Sequence, residues 1–531
     1  MGWLDIIVIV LYFAGFAAVG FYYHGRHKTT EAYFVGNRSF PGWAIGLSMV
    51  GTSISSVTFM GFPADAFRTS YIRLIPQFTL PIVVLIASWF FLPFFRRTHV
   101  TTAYEYLEQR FGPKTRVYAG LAFIIGQGVR LTLITYLVSI LFADLVGIDP
   151  NTAVIIGGTI TAFYTITGGI SAVIWTDVVQ TLIFVIGGLA CLLTIIWNLP
   201  GGLGQIIHEG WINNKISTWD FDPNTKVFGP THWNFSLSER TALMMVFFGF
   251  NNFLYEYSGN QNVVQKYCAS KSPADARRAM WICAISSVPI WSYFMFLGTA
   301  LWVFFRVNPD PVATDILNQT NGHKADEIVG YFARHYLPPG FGGLVVAAVL
   351  AAAMSSLASC INAVATVSVV DIYQRHIAPG KDNQHYLRAA FIMSIVASGI
   401  MIGGSLIMIN SPNKNTLLDS ATELSSLTSL GLLGLYMVGF FTKFGDGRAI
   451  GAALIATLCF SFYRSLEKAD NSYGWAWFPD WAHLPIDHYY TGFLGNFLVF
   501  GIAALLGATI FRTRRDLTNL TVYTQDDTPL K

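Results

Sequence analysis

The chain has 531 residues, of which 53% are hydrophobic and only 12% are Asp, Glu, Lys or Arg. That charged share is about half that of a typical soluble domain, which excludes a chain of several soluble domains. The net charge of +3, with no basic run interleaved with aromatics, gives no footing for nucleic acid.

A transmembrane helix needs about 20 mostly apolar residues, and about thirteen such stretches can be read along the chain. In order they are 4–23, 41–66, 72–95, 117–145, 152–167, 171–197, 238–258, 279–304, 341–369, 386–409, 419–441, 448–463 and 488–511. The first carries Asp5 at its start and has no small-residue cleavage site after it, so it reads as a span and not a signal peptide. The shortest are 152–167 and 448–463. Basic residues cluster in alternate loops: Arg96 with Arg97, Lys271 with Arg277 and Arg278, Arg512 with Arg514 and Arg515. Lys and Arg accumulate in cytoplasmic loops, which puts the N-terminus outside and the C-terminus in the cytoplasm. The segments 199–237, 305–340 and 464–487 carry Pro, Trp and Gly and are expected to fold over the outer surface. The polar tail after Phe511 is expected to be mobile. Cys191, Cys268, Cys283, Cys360 and Cys459 lie in or beside apolar segments and read as small packing residues, not a disulfide framework.

Three segments do not read as lipid-facing helix. Gly51 to Thr58, in the middle of the second stretch, holds five hydroxyls and Gly51 itself in eight residues, with Pro63 after it. Hydroxyls can satisfy backbone groups freed where a helix opens, and a helix broken at mid-membrane is where secondary transporters bind ions and substrates. The same residues suit a close helix–helix contact, and composition does not choose between the two. Ala351 to Ser359, continuing to Asn362, sets Ala352, Ser355, Ser356 and Ser359 on one helical face. Asn251, Asn252, Glu256, Asn260, Gln261 and Gln265 crowd the end of the seventh stretch, a density of amides that is costly in lipid. Two charges stand inside stretches, Asp177 in the sixth and Arg130 near the middle of the fourth. Intramembrane charges mark functional sites or pair with one another. Asp177 reads as functional or as an interfacial cap, and Arg130 as functional or as the partner of Glu256.

Gly25 to Trp43, Ile54 to Thr58, Gly168 to Gln180, Asn260 to Gln265 and Ser355 to Ser359, in this order, resemble the sodium:solute symporter family, whose members include sodium–glucose, sodium–proline and sodium–sialic acid cotransporters. The likeness runs over about residues 1 to 450. It implies an all-α polytopic, leucine-transporter-like fold of two inverted five-helix repeats and about thirteen spans. Here the repeats would be 41–197 and 238–441. Residues 1–40 precede them as an extra helix and inner loop, 198–237 form an outer loop, 442–511 two peripheral helices, and 512–531 a cytoplasmic tail. It implies a sodium-coupled symporter working by alternating access, not an enzyme.

The resemblance also implies roles residue by residue. Sodium would be held by the carbonyls of Gly51, Ile54 and Ala352 and the hydroxyls of Ser355 and Ser356, an uncharged oxygen set that suits a hard cation. Some members hold a second sodium at the position of Asp177 with hydroxyls on the eighth core helix. Ser359 matches, but Ala358 replaces a hydroxyl residue, so one sodium is expected. For substrate, the galactose-type pattern is missing, with Thr58 and Gln77 at two of its positions and no Lys in 279–304. The motif Arg130-Leu-Thr-Leu-Ile-Thr-Tyr136 and Val57 to Met60 resemble the bacterial sialic acid branch instead. A planar guanidinium suits a carboxylate, so an anionic sugar held by Arg130, Ser53, Ser55, Thr58, Gln77 and Asn260 is the first expectation. A neutral sugar or a small monocarboxylate is the alternative. A sensor or channel built on the same spans is the rival of a different class. A channel needs a filter ring, and a sensor needs a larger cytoplasmic domain than the tail after Phe511. The expected partners are the solute, sodium and the lipid bilayer of the cell (inner) membrane, with a monomer as the working unit.

Overall fold

A computed structural model describes residues 2–26, 28–97, 100–221, 228–238, 241–321, 324–410, 431–473, 477–487, 490–511 and 515–524. Among them, 9 helices are long and apolar enough to cross a membrane, or 10 with the bent pair Gly42–Ser53 and Ser56–Arg68. The expected stretches fall on helices throughout, and of 419–441 only the second half, Leu432–Phe441, lies among the described residues.

One expectation is sharpened and two are corrected. First, the stretches 152–167 and 171–197 are two helices that follow one another without a loop within Pro150–Asn198. They meet in a kink at Gly169, the one residue of non-helical backbone there (φ 50, ψ −153). A Cβ there would lie 2.7 Å from the Tyr33 carbonyl oxygen, so the junction needs glycine on both counts. Second, the seventh stretch does not end in an inner loop. Helix Ala242–Ser258 breaks at Gly259 and Asn260 and resumes as Gln261–Cys268, every residue of which is buried. Gln261, Asn262, Gln265 and Lys266 hid this half-helix from a hydropathy reading, because their polar side chains bond to partners inside the protein. Third, the described part of the tail is docked. Arg515 donates to the Glu108 carbonyl at 3.1 Å, the Tyr106 hydroxyl donates to the Leu520 carbonyl at 2.8 Å, and Thr521 is buried.

The helix Phe341–Val367 is the axis of the molecule. The most apolar window of its span is 94% buried, against 28% for Trp3–Tyr23 and for Asn383–Ile409, which face outward. Its run of Ala and Ser lets other helices approach closely, and it packs along Pro150–Asn198 and Pro113–Val146. Its N-terminus is tied to the first helix by Asp5, whose carboxylate accepts from the amides of Gly340 and Gly343 at 2.9 and 2.8 Å. The helix Gly202–Ile212 leads into a short antiparallel hairpin, Trp219–Phe221 with Phe228–Pro230.

Candidate functional site

The first broken helix opens where the hydroxyls predict. Ile54 (φ −90, ψ 130) and Ser55 (φ −129, ψ 178) are extended, and the two halves meet at 55°. In an unbroken helix the Ser55 amide would bond the Gly51 carbonyl. Here it donates to Thr58 Oγ1 at 3.4 Å, which frees the Gly51 carbonyl. Opposite, the central helix presents Ala352, Ser355, Ser356 and Ser359, all buried. Gly51, Ile54, Ala352 and Ser355 line one cavity, together with Gln180 and Thr181 of the Pro150–Asn198 helix. The Ser356 hydroxyl reaches the Ile54 carbonyl at 3.4 Å. The five residues expected to hold sodium therefore converge. A Cβ on Gly51 would lie 2.8 Å from both Ser355 Oγ and Thr181 Oγ1, so the approach of the three helices requires glycine. Among the described residues no cluster of three or more His, Cys, Asp or Glu could hold a metal. The donors of the cavity are uncharged oxygens and an amide, a set that suits a monovalent hard cation.

Asp177 lies beside this cavity, fully buried. Its Oδ1 accepts from the Ser355 hydroxyl at 2.6 Å, and its Oδ2 from the Ser48 hydroxyl and from Lys266 Nζ, each at 2.6 Å. Ser359 does not join it. The Ser359 hydroxyl pairs with Thr52 Oγ1 at 3.1 Å. The possible second-sodium pair, Asp177 and Ser359, is therefore not bonded together here, and a lysine stands at the carboxylate. Lys266 was missed in the sequence, where it reads as one more inner-loop charge. It is 1% exposed, donates to the Ser48 carbonyl at 3.0 Å and also bonds Thr52 Oγ1. A signal was there: Gln261 with Gln265 and Asn262 with Lys266 are spaced four apart behind an Asn cap, the mark of a helix with polar faces.

Arg130 sits beside the second broken helix, with Tyr255 and Glu256 as electrostatic neighbours. The bridge to Glu256 does not form, and among the described residues Arg130 makes no hydrogen bond or ion pair. It is half-buried, as are Ser53, Ser55 and Gln77, while Thr58 is buried. Asn260 caps Gln261–Cys268, its side-chain oxygen accepting from the Asn262 amide at 3.1 Å. That gives the residue a structural task the substrate reading did not include. The half-helix is anchored by Asn262 to Gln127 (3.1 Å) and by Gln265 to the Phe34 carbonyl (2.6 Å) and Asn362 (3.1 Å).

The chain is similar over most of its length to known transporters. The sodium:solute symporter family profile matches residues 33–443. The sodium/sialic acid symporter SiaT of Proteus mirabilis is 31% identical over 460 residues, covering 86% of this chain and 88% of its own. Sodium-coupled monocarboxylate transporter 1 of Xenopus laevis is 28% identical over 472 residues, covering 86% and 71%. The substrate-bound, outward-open structure of a Na+-coupled sialic acid symporter superposes with a TM-score of 0.83 at 26% identity, covering 97% of this chain and all of that one. Mhp1, a nucleobase-cation-symport-1 transporter, shares the fold alone (TM-score 0.51, 13% identity). With an open helix, a convergent oxygen cavity and a family match over most of its length, this chain belongs to the sodium:solute symporter family and is a sodium-coupled membrane transporter of leucine-transporter-like fold, not an enzyme.

Proposed function

We propose that the chain imports an anionic sugar, sialic acid in the first instance, together with one sodium ion by alternating access. The observation that carries the substrate class is Arg130, a guanidinium among apolar helices with no partner among the described residues. Such a group needs an anion, and a carboxylate matches its planar fork. Ser53, Ser55, Thr58 and Gln77 would take the hydroxyls of the sugar, and Asn260 would shape the floor through the half-helix it caps. Sodium would sit on the carbonyls of Gly51, Ile54 and Ala352 and the hydroxyls of Ser355 and Ser356. Its charge would favour the open form of the first broken helix, whose freed carbonyls it satisfies. The names of the sialic acid symporters to which the chain is similar support the same reading. A small monocarboxylate is the second reading, favoured by the likeness to the monocarboxylate transporter. The protein would work as a monomer in the inner membrane, N-terminus outside and C-terminus in the cytoplasm.

The test is uptake into proteoliposomes of labelled sialic acid, glucose and pyruvate, with sodium or choline outside. Sialic acid should enter only with sodium, and excess pyruvate should not compete. Sodium-dependent uptake of glucose at comparable affinity would overturn the anionic reading. Preference for pyruvate would replace the sugar by the smaller acid.

A further inference from the structure

Lys266 has no role in the function argued so far, yet its ammonium is two hydrogen bonds, through Asp177, from Ser355 in the candidate sodium cavity. Asp177 Oδ2 takes Lys266 and Ser48, and Oδ1 takes only Ser355. A serine hydroxyl has one proton and two lone pairs. With its proton committed to Asp177 at 2.6 Å, Ser355 turns its lone pairs away from Asp177, toward the cavity it lines with Gly51, Ile54 and Ala352. A hydroxyl without such an acceptor would have to be turned so that its proton points away from a cation. The orientation lasts only while Asp177 keeps Oδ1 turned to Ser355, and the bonds of Lys266 Nζ and the Ser48 hydroxyl to Oδ2 fix the carboxylate that way round. We propose that Lys266 is a positioning residue for the sodium site: its ammonium, held at the same time by the Ser48 carbonyl and Thr52, pins the Asp177 carboxylate so that Oδ1 takes the Ser355 proton and the Ser355 lone pairs face the ion. Because Lys266 lies on the second broken helix and Ser355 on the central one, the relay also makes sodium affinity depend on where the second broken helix stands. This rests on the reading of Ser355 as a sodium ligand.

The test uses the full-length transporter in proteoliposomes, with sodium half-saturation at saturating solute and solute affinity at saturating sodium measured for the same variants. Lys266→Gln should raise sodium half-saturation about tenfold or more, the scale of one buried hydrogen-bonding partner lost, and leave solute affinity unchanged. Asp177→Asn should give a similar rise, and the double variant no more than either, because all act on one proton. Lys266→Arg keeps the charge but cannot fit its planar fork to Ser48, Thr52 and Asp177 together, so a rise of about threefold is expected. It carries the test alone if the Gln variant does not fold. Unchanged sodium half-saturation in the Lys266 variants overturns the relay. So does an equal loss of sodium and solute affinity, which marks a purely structural pair, and so does a Hill coefficient rising to two, which means the ammonium was only filling a cation site. Ser355→Ala separates this from the underlying reading. If it too leaves sodium half-saturation unchanged, the sodium site itself is misplaced. If it raises half-saturation and Lys266→Gln does not, only the relay fails.

Discussion

Lys266, on the second broken helix, and Arg130, beside it, are both basic residues among apolar helices, and the protein treats them in opposite ways. Lys266 is 1% exposed and spends its ammonium on Asp177, the Ser48 carbonyl and Thr52. Arg130 is half-buried and, among the described residues, bonds to nothing, although Glu256 is close enough to feel its charge. A buried charge that is satisfied holds the structure, and removing its partner is destabilising. A charge left unsatisfied is held ready for something that arrives. Burial and sign alone do not separate the two cases; the partners do.

The sharpest way to break the comparison is Arg130→Ala. Solute binding should weaken by about 2–5 kcal/mol, as for a desolvated charge pair that is broken. The thermal midpoint without solute should hardly move. Calorimetric binding alongside a thermal ramp checks both, and loss of stability with retained affinity would make Arg130 another Lys266. Next in size is Ser356→Ala. The Ser356 hydroxyl reaches the Ile54 carbonyl, and losing one of five proposed ligands should cost about 1–3 kcal/mol of sodium affinity. Sodium titration of uptake should shift by about tenfold, and an unshifted curve would move the ion elsewhere.

Lys215 extends the comparison beyond the expected spans. Its ammonium donates to the carbonyls of Phe67, Arg68 and Thr69 at 2.9, 3.0 and 3.0 Å, closing the C-terminal end of the first broken helix. Burial lowers its pKa to about 7. The unfolded chain holds the same proton to about pH 10.4. Between these values the unfolded state binds more protons, so stability should rise with pH from about 7 and level off near 10. Lys215→Met should lose up to about 1–3 kcal/mol through the unmet carbonyls and lose this rise as well. Thermal midpoints from pH 6 to 9 decide it, and parallel curves for the two proteins would rule it out. The smallest effect should come from Glu256→Gln. With no bridge to Arg130, its cost to stability should stay under about 1 kcal/mol, far from the 3–5 of a broken buried pair. A larger loss in the thermal ramp would restore the structural bridge.

The spans, the break at Ile54 and the serine face of the central helix were legible because they follow from local chemistry. Apolar length fixes a span, and a run of hydroxyls marks a helix that can open. Gln261–Cys268 was not legible. Its polar residues erase the hydropathy signal, and only Gln127, Phe34 and Asn362, distant in the chain, make it a buried helix. The docked tail escaped for the same reason, since residues 515–524 are polar and their partners, Tyr106 and Glu108, lie some four hundred positions away.

The sequence by itself determined that this is a polytopic helical membrane protein with an oxygen-rich opening, and its motifs placed it in its family. Tertiary structure decided which charges are spoken for. Asp177 could not be assigned to Ser48, Ser355 and Lys266, nor Arg130 separated from Glu256, by any spacing along the chain. Those partners come from four different helices, and the energy of a buried charge depends on the few ångströms around it.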